Sequence, residues 1–443
     1  MEGILQIKIN GIKNIENEIC INFTNTIIEK GIKNIDKVKG IFGYNGAGKT
    51  AIITAIDIYK NIVTDINYLN QNDVKEELIK LINYKNKQLS LSVLYYVRED
   101  MLLKHSVKLV YKDFYGCYCI EKEEVAVLSD RSINGKYKTL LESNSGVLLG
   151  VDKELSSSLT DTLRGVDLEM CSFVPYAVKK AIKENQNKDT SVAYSSIEKI
   201  LLQLFFNANK ISVYLKQTDN HKNYKIDKNK LVSIMDILGQ NKEEYINSFS
   251  DIYIDEEIIP TSFFKVYSDN NKKLTKFIQY FKPDLKTIEL IKREDKNSYH
   301  VRRLFKYKNY NVEYEYESSG IKQLVKLFTY LLICANGGIV FIDEMDTNLN
   351  SAYFAAIISF FAQYGKGQLI FTTHNLEAMN SLKSHSKSIL VLGENNSIDV
   401  WVGKGNRSPI KDYLNGNLPN SPMNIEDFDF VNIFFGDEQS WFD

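Results

Sequence analysis

Four short stretches hold residue types whose spacing can do chemistry on a phosphate. Gly43-Tyr44-Asn45-Gly46-Ala47-Gly48-Lys49-Thr50 sits between the apolar run "KVKGIF" and the helix-like "TAIITAIDIYKNIV". Glycines at 43, 46 and 48, with Asn45 and Ala47 between them, let backbone N–H groups wrap a phosphate chain. Lys49 then reaches the outer phosphates, and Thr50 can ligate Mg2+. "IVFIDE" delivers Asp343 and Glu344 to a strand's carboxyl end. There Asp343 can bind Mg2+ through water and Glu344 can polarise an attacking water. "LIFTTH" ends in His374, placed beside that edge to sense the outermost phosphate. Ser318-Ser319-Gly320 precedes an apolar helix from Ile321. Helix-start N–H groups, two hydroxyls and a glycine make a second anion site far from the first.

These stretches need elements to carry them. Leu5, Ile7 and Ile9 alternate, as does "EICINF", so the chain opens on an antiparallel pair. From Gln88 to Leu128 the runs are β-rich; from Lys153 to Asp255 the periodicity turns helical, as in "SSIEKILLQLFFNAN". The β signal returns after Ser298. "GGIVFIDE", "GQLIFTTH" and "SILVLG" are short apolar runs suited to a parallel sheet covered on both faces, with "SIDVWV" as an edge hairpin. No heptad repeat is sustained, which argues against a long coiled coil.

Composition narrows the class. In 443 residues, 55 Lys and Arg nearly cancel 56 Asp and Glu, so any nucleic-acid affinity has to be local. Five scattered cysteines without a CxxC pair read as reduced thiols, with Cys117 and Cys119 as core residues of one strand. The longest apolar run, Leu327 to Ile342, is broken by Asn336-Gly337-Gly338, and no apolar signal segment opens the chain. A cytoplasmic protein without a membrane partner is expected. His105, His221, His300 and His385 lack the setting of His374 and are read as surface or core groups.

Taken in order, the glycine loop, Ser318-Ser319-Gly320-Ile321-Lys322-Gln323-Leu324, "IDEMDTNLN" and "TTH" resemble the motif set of ABC-type P-loop ATPases. The form is similar to the SMC-like, RecF-like and OLD-like branch, and resembles ATPase subunits of abortive-infection and anti-phage systems. The resemblance covers about residues 1–50 and 310–405. It implies an α/β ATPase head with a mixed and parallel sheet, flanking helices, an antiparallel β subdomain and a helical insertion. The division it suggests is 1–145 (head with P-loop and β subdomain), 146–285 (mostly helical insertion), 286–405 (head with signature, Walker B and switch histidine) and 406–443 (tail).

The same resemblance implies ATP and Mg2+ as cofactors and hydrolysis to ADP and phosphate. Gly43 to Thr50 would hold the nucleotide, Thr50 and Asp343 the metal, with Glu344 as base and His374 as switch. Gln88 is the candidate Q-loop residue at the metal, with Gln71 its rival. Ser318, Ser319 and Gly320 would hold the γ-phosphate of ATP on a second copy, in a head-to-tail dimer or an assembly of dimers. Asp346 to Asn350 would cross that interface.

Sixty-nine residues after His374 leave no room for the Toprim nuclease of OLD proteins, despite the DxD-like Asp427-Phe428-Asp429. A separately encoded nuclease or toxin effector is therefore expected, against the alternatives of a RecF- or SMC-like repair ATPase or an ATP-locked scaffold. Lys265 to Lys308 carries thirteen Lys and Arg against five acids and is a possible nucleic-acid track. Asn424 to Asp443, with six acids, six Phe or Trp and no Lys or Arg, could dock on a basic partner or fold back on the core.

Overall fold

Alternation at the start of the chain gives β1 (Gly3–Asn10), paired antiparallel with β2 (Ile19–Asn22). The computed structural model describes residues 2–24, 35–97, 101–128, 133, 135–151, 163, 165–186, 196–215, 258–261, 264–403, 407–418 and 421. β3 (Val38–Phe42) is buried throughout and runs into the glycine loop, from which α1 (Lys49–Thr64) departs. After α2 (Asn72–Leu81) come β4 (Gln88–Tyr96), β5 (Leu102–Lys112), β6 (Cys117–Leu128), β7 (Tyr137–Asn144) and β8 (Val147–Val151). These strands join the first pair in a seven-stranded antiparallel sheet ordered β2-β1-β4-β5-β6-β7-β8.

Helices α3 (Phe173–Gln186) and α4 (Ser196–Asn209) lead to β9 (Ile211–Tyr214). A small antiparallel sheet follows, made by β10 (Ile258–Pro260), β11 (Leu285–Asp295), β12 (Ser298–Tyr307) and β13 (Asn311–Glu313), with α5 (Phe264–Phe281) packed on it. The last third is α6 (Ser319–Ala335), β14 (Ile339–Ile342), α7 (Ser351–Tyr364), β15 (Gln368–Thr372), α8 (Glu377–Ser381), β16 (Ile389–Leu392), β17 (Ile398–Val400) and α9 (Pro409–Leu414).

The central sheet is ordered β17-β16-β3-β15-β14-β9. All neighbours are parallel except the edge pair β16–β17. Its strands read as continuous apolar runs because both faces are covered. Ile41, Phe341, Ile370 and Leu392 point into the cluster around α1, whereas Phe42, Val340, Ile342 and Phe371 point toward α6 and α7. This parallel register brings the ends of β3, β14 and β15 to one edge, where the four chemical stretches begin.

Two placements add to the expected division. The span 146–285, expected to be a mostly helical insertion, holds α3 and α4 packed on α1 and also β9, a parallel neighbour of β14 in the central sheet. Four residues after a helix are too short to show a period. The break expected at 285/286 falls at the head of β11, which pairs with β12 as one hairpin. Much of the helical periodicity, with residues 216–257 and His221, lies outside the described residues, as do Asp427 to Asp429 and the tail from Asn424.

His105 is fully buried, held between Tyr59 Oη (3.2 Å) on α1 and Glu123 Oε1 (3.0 Å) on β6. Glu123 also accepts from Phe173 N at the start of α3 (3.1 Å). This is a satisfied core network that fastens α1 to the antiparallel sheet. Cys117 and Cys119 are buried free thiols, as core residues of one strand should be. No helix among the described residues is long and apolar enough to cross a membrane.

Gln368, 1 % exposed, joins the two large sheets: its Oε1 accepts from Ile4 N (2.7 Å) and its Nε2 donates to Ile4 O (2.9 Å). Gln368→Leu leaves that N–H and carbonyl buried without partners. The expected cost is about 2–4 kcal/mol, read as a lower urea midpoint with an unchanged slope.

Candidate functional site

The glycine loop is shaped by its neighbours as much as by its own residues. Gly43 has φ +146, and a Cβ there would stand 2.4 Å from Leu392 O at the end of β16. Gly48 caps α1 in the left-handed region (φ 108, ψ 13), and no side chain closes the helix start. The first N–H groups of α1 therefore point into the loop without intrahelical partners, as an anion cradle requires. Asn45 and Gly46 are exposed at the tip, while Ala47 is buried and its N–H donates to Tyr44 O (3.3 Å). Asn14 braces the loop from outside, donating to Gly46 O at 2.6 Å. Asn396, in the β16–β17 turn, holds that brace in turn by donating to Asn14 O (3.1 Å).

Lys49 lies within the loop, its Nζ donating to Gly43 O (2.8 Å) and Tyr44 O (2.9 Å). Burial lowers its pKa to about 8, against the pull of Asp343, Glu344 and Asp346 toward the charged form. One residue on, Thr50 Oγ1 donates to Asp343 Oδ1 at 3.1 Å. Asp343 is 3 % exposed at the end of β14, and its N–H continues the ladder to Tyr214 O of β9 (2.9 Å). The strand missed in the sequence thus helps set the depth of the Asp343 carboxylate.

Thr372 ends β15 on the other side. Its hydroxyl donates to the same Asp343 oxygen (2.7 Å) and accepts from Glu344 N (2.8 Å). Glu344 adopts φ 46, a left-handed conformation that costs a non-glycine residue about 1–3 kcal/mol and concentrates at functional sites. Thr347 Oγ1 lies 3.4 Å from Glu344 Oε2 and donates to it. His374, just past β15, is solvent-exposed, yet its pKa is lowered below the ordinary imidazole value. Burial by surrounding protein is the main cause and the Lys49 charge the next, opposed by Asp346, Glu344 and Asp343. Those causes place His374 within electrostatic reach of every charged member of the cluster.

The donor set suits a hard divalent ion. Thr50 and Asp343 offer a hydroxyl and a carboxylate oxygen side by side, and no group of three or more His, Cys, Asp or Glu with metal-holding geometry occurs among the described residues. An ion held there would take its remaining ligands from phosphate oxygens and water, as Mg2+ does.

Ser318 stands just ahead of α6. It is the N-cap of α6, its hydroxyl accepting from Ile321 N at 3.4 Å, so its oxygen serves the helix. Ser319 is exposed and Gly320 half-exposed in the first turn, where N–H groups have no intrahelical partner. Among the described residues, no hydrogen bond or ion pair joins this helix start to Gly43–Thr50 of the same chain. Its contact is with the loop after Glu344: a Cβ on residue 320 would lie 3.0 Å from Asn348 O.

A Cβ on Gly11 would meet Gln88 O, so Gln88 sits beside the turn that leads to Lys13. It opens β4 opposite Val110, and no hydrogen bond links it to Thr50 or Asp343 among the described residues. Gln71 lies beyond the far end of α1, donating to Asp65 Oδ2 (2.9 Å). Another residue of this region was not marked by the sequence reading. Lys13, in the turn after β1, donates to Thr54 Oγ1 (3.2 Å) on α1; burial lowers its pKa, with Asp343 the first of the groups opposing. The Asn10-Gly11 pair was the available signal, since it forces a turn that points the next residues at α1.

Residues 201–380 match the family described as AAA domain, putative AbiEii toxin, Type IV TA system. The match takes in β9, Ser318 to Gly320, Asp343, Glu344 and His374 but not the glycine loop. No curated protein matches the chain. Among solved structures, an SmcHead bound to the C-winged helix domain of ScpA is 16% identical, covers 90% of this chain and 97% of that chain, and has a TM-score of 0.43. The SMC head domain from Thermotoga maritima is 13% identical over 90% of this chain and 100% of that one, with a TM-score of 0.35. The recombination mediator RecF with ATP, of the RecFOR pathway, is 10% identical over 90% and 98%, with a TM-score of 0.38. Scores this low assign no function. The family match over residues 201–380 takes in the end of β14 that carries Asp343 and Glu344, which lies beside the glycine cradle ahead of α1.

Proposed function

We propose that the protein binds and hydrolyses ATP with Mg2+ in a head-to-tail dimer, and that this cycle controls a separate nuclease or toxin effector in an anti-phage system. The observation that carries the catalytic half is the cluster of Thr50, Asp343, Thr372 and Glu344 beside a cradle containing Lys49. Mg2+ on Thr50 and Asp343 would neutralise phosphate charge. Lys49 draws the outer phosphates, Glu344 polarises a water in line with them, and His374 reports on the γ-phosphate. The exposed start of α6, unattached to its own chain's loop, supports use of Ser319 and Gly320 on a second copy's ATP.

Support for the biological half is the description of the matched family, a putative abortive-infection toxin of a toxin–antitoxin system. The small sheet's cationic side chains give weaker support to nucleic-acid binding. Lys306 is engaged by Glu289 and Arg302 lies 3.9 Å from Glu313, so two of the cations are already answered by acids. An effector protein is therefore the better reading of the output.

Nucleotide binding should register at Lys49. A pKa of about 8 lies below the ordinary 10.5, so the protein alone sheds this proton as pH rises through 8. Phosphate favours the charged form, so ATP binding near pH 8.5 should take up a proton and binding near pH 6.5 should not. Calorimetry in buffers of different ionisation enthalpy measures that uptake. Lys49→Ala should lose both the uptake and the binding, and wild-type affinity in that variant would remove Lys49 from the site.

Hydrolysis should depend on two copies. Glu344→Gln keeps the side chain's shape, and turnover should fall about 100-fold or more while an ATP-dependent dimer accumulates in light scattering. Ser319→Arg should bind ATP as a monomer yet neither dimerise nor hydrolyse. Mixing it with Lys49→Ala chains assembles one intact composite site, and some turnover should return. Two folded variants that stay inactive on mixing would rule out sharing between copies.

The output is tested in cells. Pull-downs with the Glu344→Gln chain in ATP, ADP and nucleotide-free buffers, from infected and uninfected cells, should capture one effector preferentially in one nucleotide state. Removal of Asn424 to Asp443 should weaken that capture without changing ATP affinity. If no protein is captured in any state while the chain alone compacts or repairs DNA, the repair function takes its place.

A further inference from the structure

The most economical group in the site is one that the motif pattern does not mark. Thr372 is fully buried, and its single hydroxyl makes two bonds of opposite polarity. The proton goes to Asp343 Oδ1 at 2.7 Å, shorter than the 3.1 Å bond to the same oxygen from Thr50. The oxygen takes the N–H of Glu344 at 2.8 Å. Thr372's backbone carbonyl adds a third bond, accepting from Met345 N at 3.1 Å. One residue of β15 thus fixes the carboxylate at the end of β14 and both peptides that follow it.

We propose that Thr372 is the positioning residue that couples metal binding to water activation. It does so by setting the rotamer of Asp343 and pinning the backbone of Glu344 in its left-handed conformation. The inference rests on the ATP-hydrolysing function proposed above and deepens it. With Oδ1 held by Thr372, the carboxylate's plane is fixed, and a cation arriving at Thr50 meets an oriented ligand. The φ of 46 at Glu344 needs an external restraint, and the bonds from Glu344 N and Met345 N to Thr372 supply it on both sides of the strained residue. Thr373, equally buried, does a different job: its hydroxyl accepts from Asn375 N (2.9 Å) and shapes the turn carrying His374. A hydroxyl at 372 is therefore demanded by the two carboxylate-bearing residues and not by its own strand.

Thr372→Val keeps the shape and β-branching and deletes the hydroxyl. The test is a titration of a fluorescent ATP analogue at increasing Mg2+, run with a turnover assay and a thermal melt. In EDTA the Val variant should bind the analogue within about twofold of wild type, since the P-loop is untouched. The Mg2+ concentration that half-saturates the binding enhancement should rise about 10-fold, and turnover at saturating Mg2+ should fall about 10- to 100-fold, as expected when an outer partner of a metal ligand is lost. Thr372→Ser restores the hydroxyl and should bring both readouts back to within about threefold, which a purely structural role for the methyl group would not produce. Should the Val chain melt below assay temperature, Thr372→Cys replaces it, because a thiol is only a weak donor, and the same shifts are expected. Val or Cys chains with wild-type Mg2+ response and turnover would overturn the assignment, as would a Ser chain as impaired as Val. A wild-type chain whose nucleotide binding ignores Mg2+ would overturn the proposed function and this inference together. A responsive wild type matched by Thr372→Val would overturn the inference alone.

Discussion

One carboxylate oxygen, Asp343 Oδ1, receives hydroxyl protons from both Thr50 and Thr372, and the rest of the site is arranged around that shared acceptor. Thr50 opens α1 directly behind the glycine loop, and Thr372 closes β15. For both to reach one oxygen, β3, β15 and β14 must be adjacent, parallel and in register. The pairings Leu369 with Val38 and Val340 with Leu369 supply that alignment. A one-residue slip would turn Asp343 to the opposite face of the sheet. Two-sided burial of the strands protects the chemistry, because a slip would also expose or bury the wrong set of Ile, Val and Phe side chains.

Much of this was legible in the residues. The glycine loop, the two acids and His374 each occupy the end of a strand or the start of a helix, and short apolar runs announce those elements. The β-rich stretch from Gln88 was legible for the same reason, since alternation over nine to twelve residues is a clear period-two signal. What escaped is instructive. β9 is four residues long and follows α4 after a single residue, so no window separates its period from the helix before it. Yet its Tyr214 carbonyl receives the N–H of Asp343. Lys13 and Asn14 escaped because their role depends on a turn folding back on α1. Thr372 was visible only as a letter in "TTH"; its two-sided bonding exists only once β14 and β15 lie side by side.

Strain and packing divide the loop after β14 between them. Glu344 and Asn348 both have positive φ, at 46 and 60, so the chain reverses twice within five residues. The first reversal is held from β15 by Thr372. The second lies against the first turn of α6, where a glycine at 320 permits the approach to Asn348 O. Asn350 then ends the loop by capping α7, its side chain accepting from Ala352 N at 2.9 Å. Glu344 and the start of α6 are therefore linked through one short, tightly specified segment.

Electrostatics bears on the anion proposed for this site. Lys49 is buried beside three acids, Asp343, Glu344 and Asp346, which all favour its charged form, and burial still wins and lowers its pKa to about 8. A second lysine, Lys13, is lowered by burial in the same way near Asp343. The nearby acids do not restore the ordinary pKa of either lysine. A chloride-sized ion could answer one of them. In the proposed function, an extended group with several acceptor oxygens would reach Lys49 and the N–H groups of α1 together while sharing a cation with Asp343. The loop's concavity, the open helix start and the paired hydroxyls all match a chain of phosphates, and a lone anion would leave most of them unused.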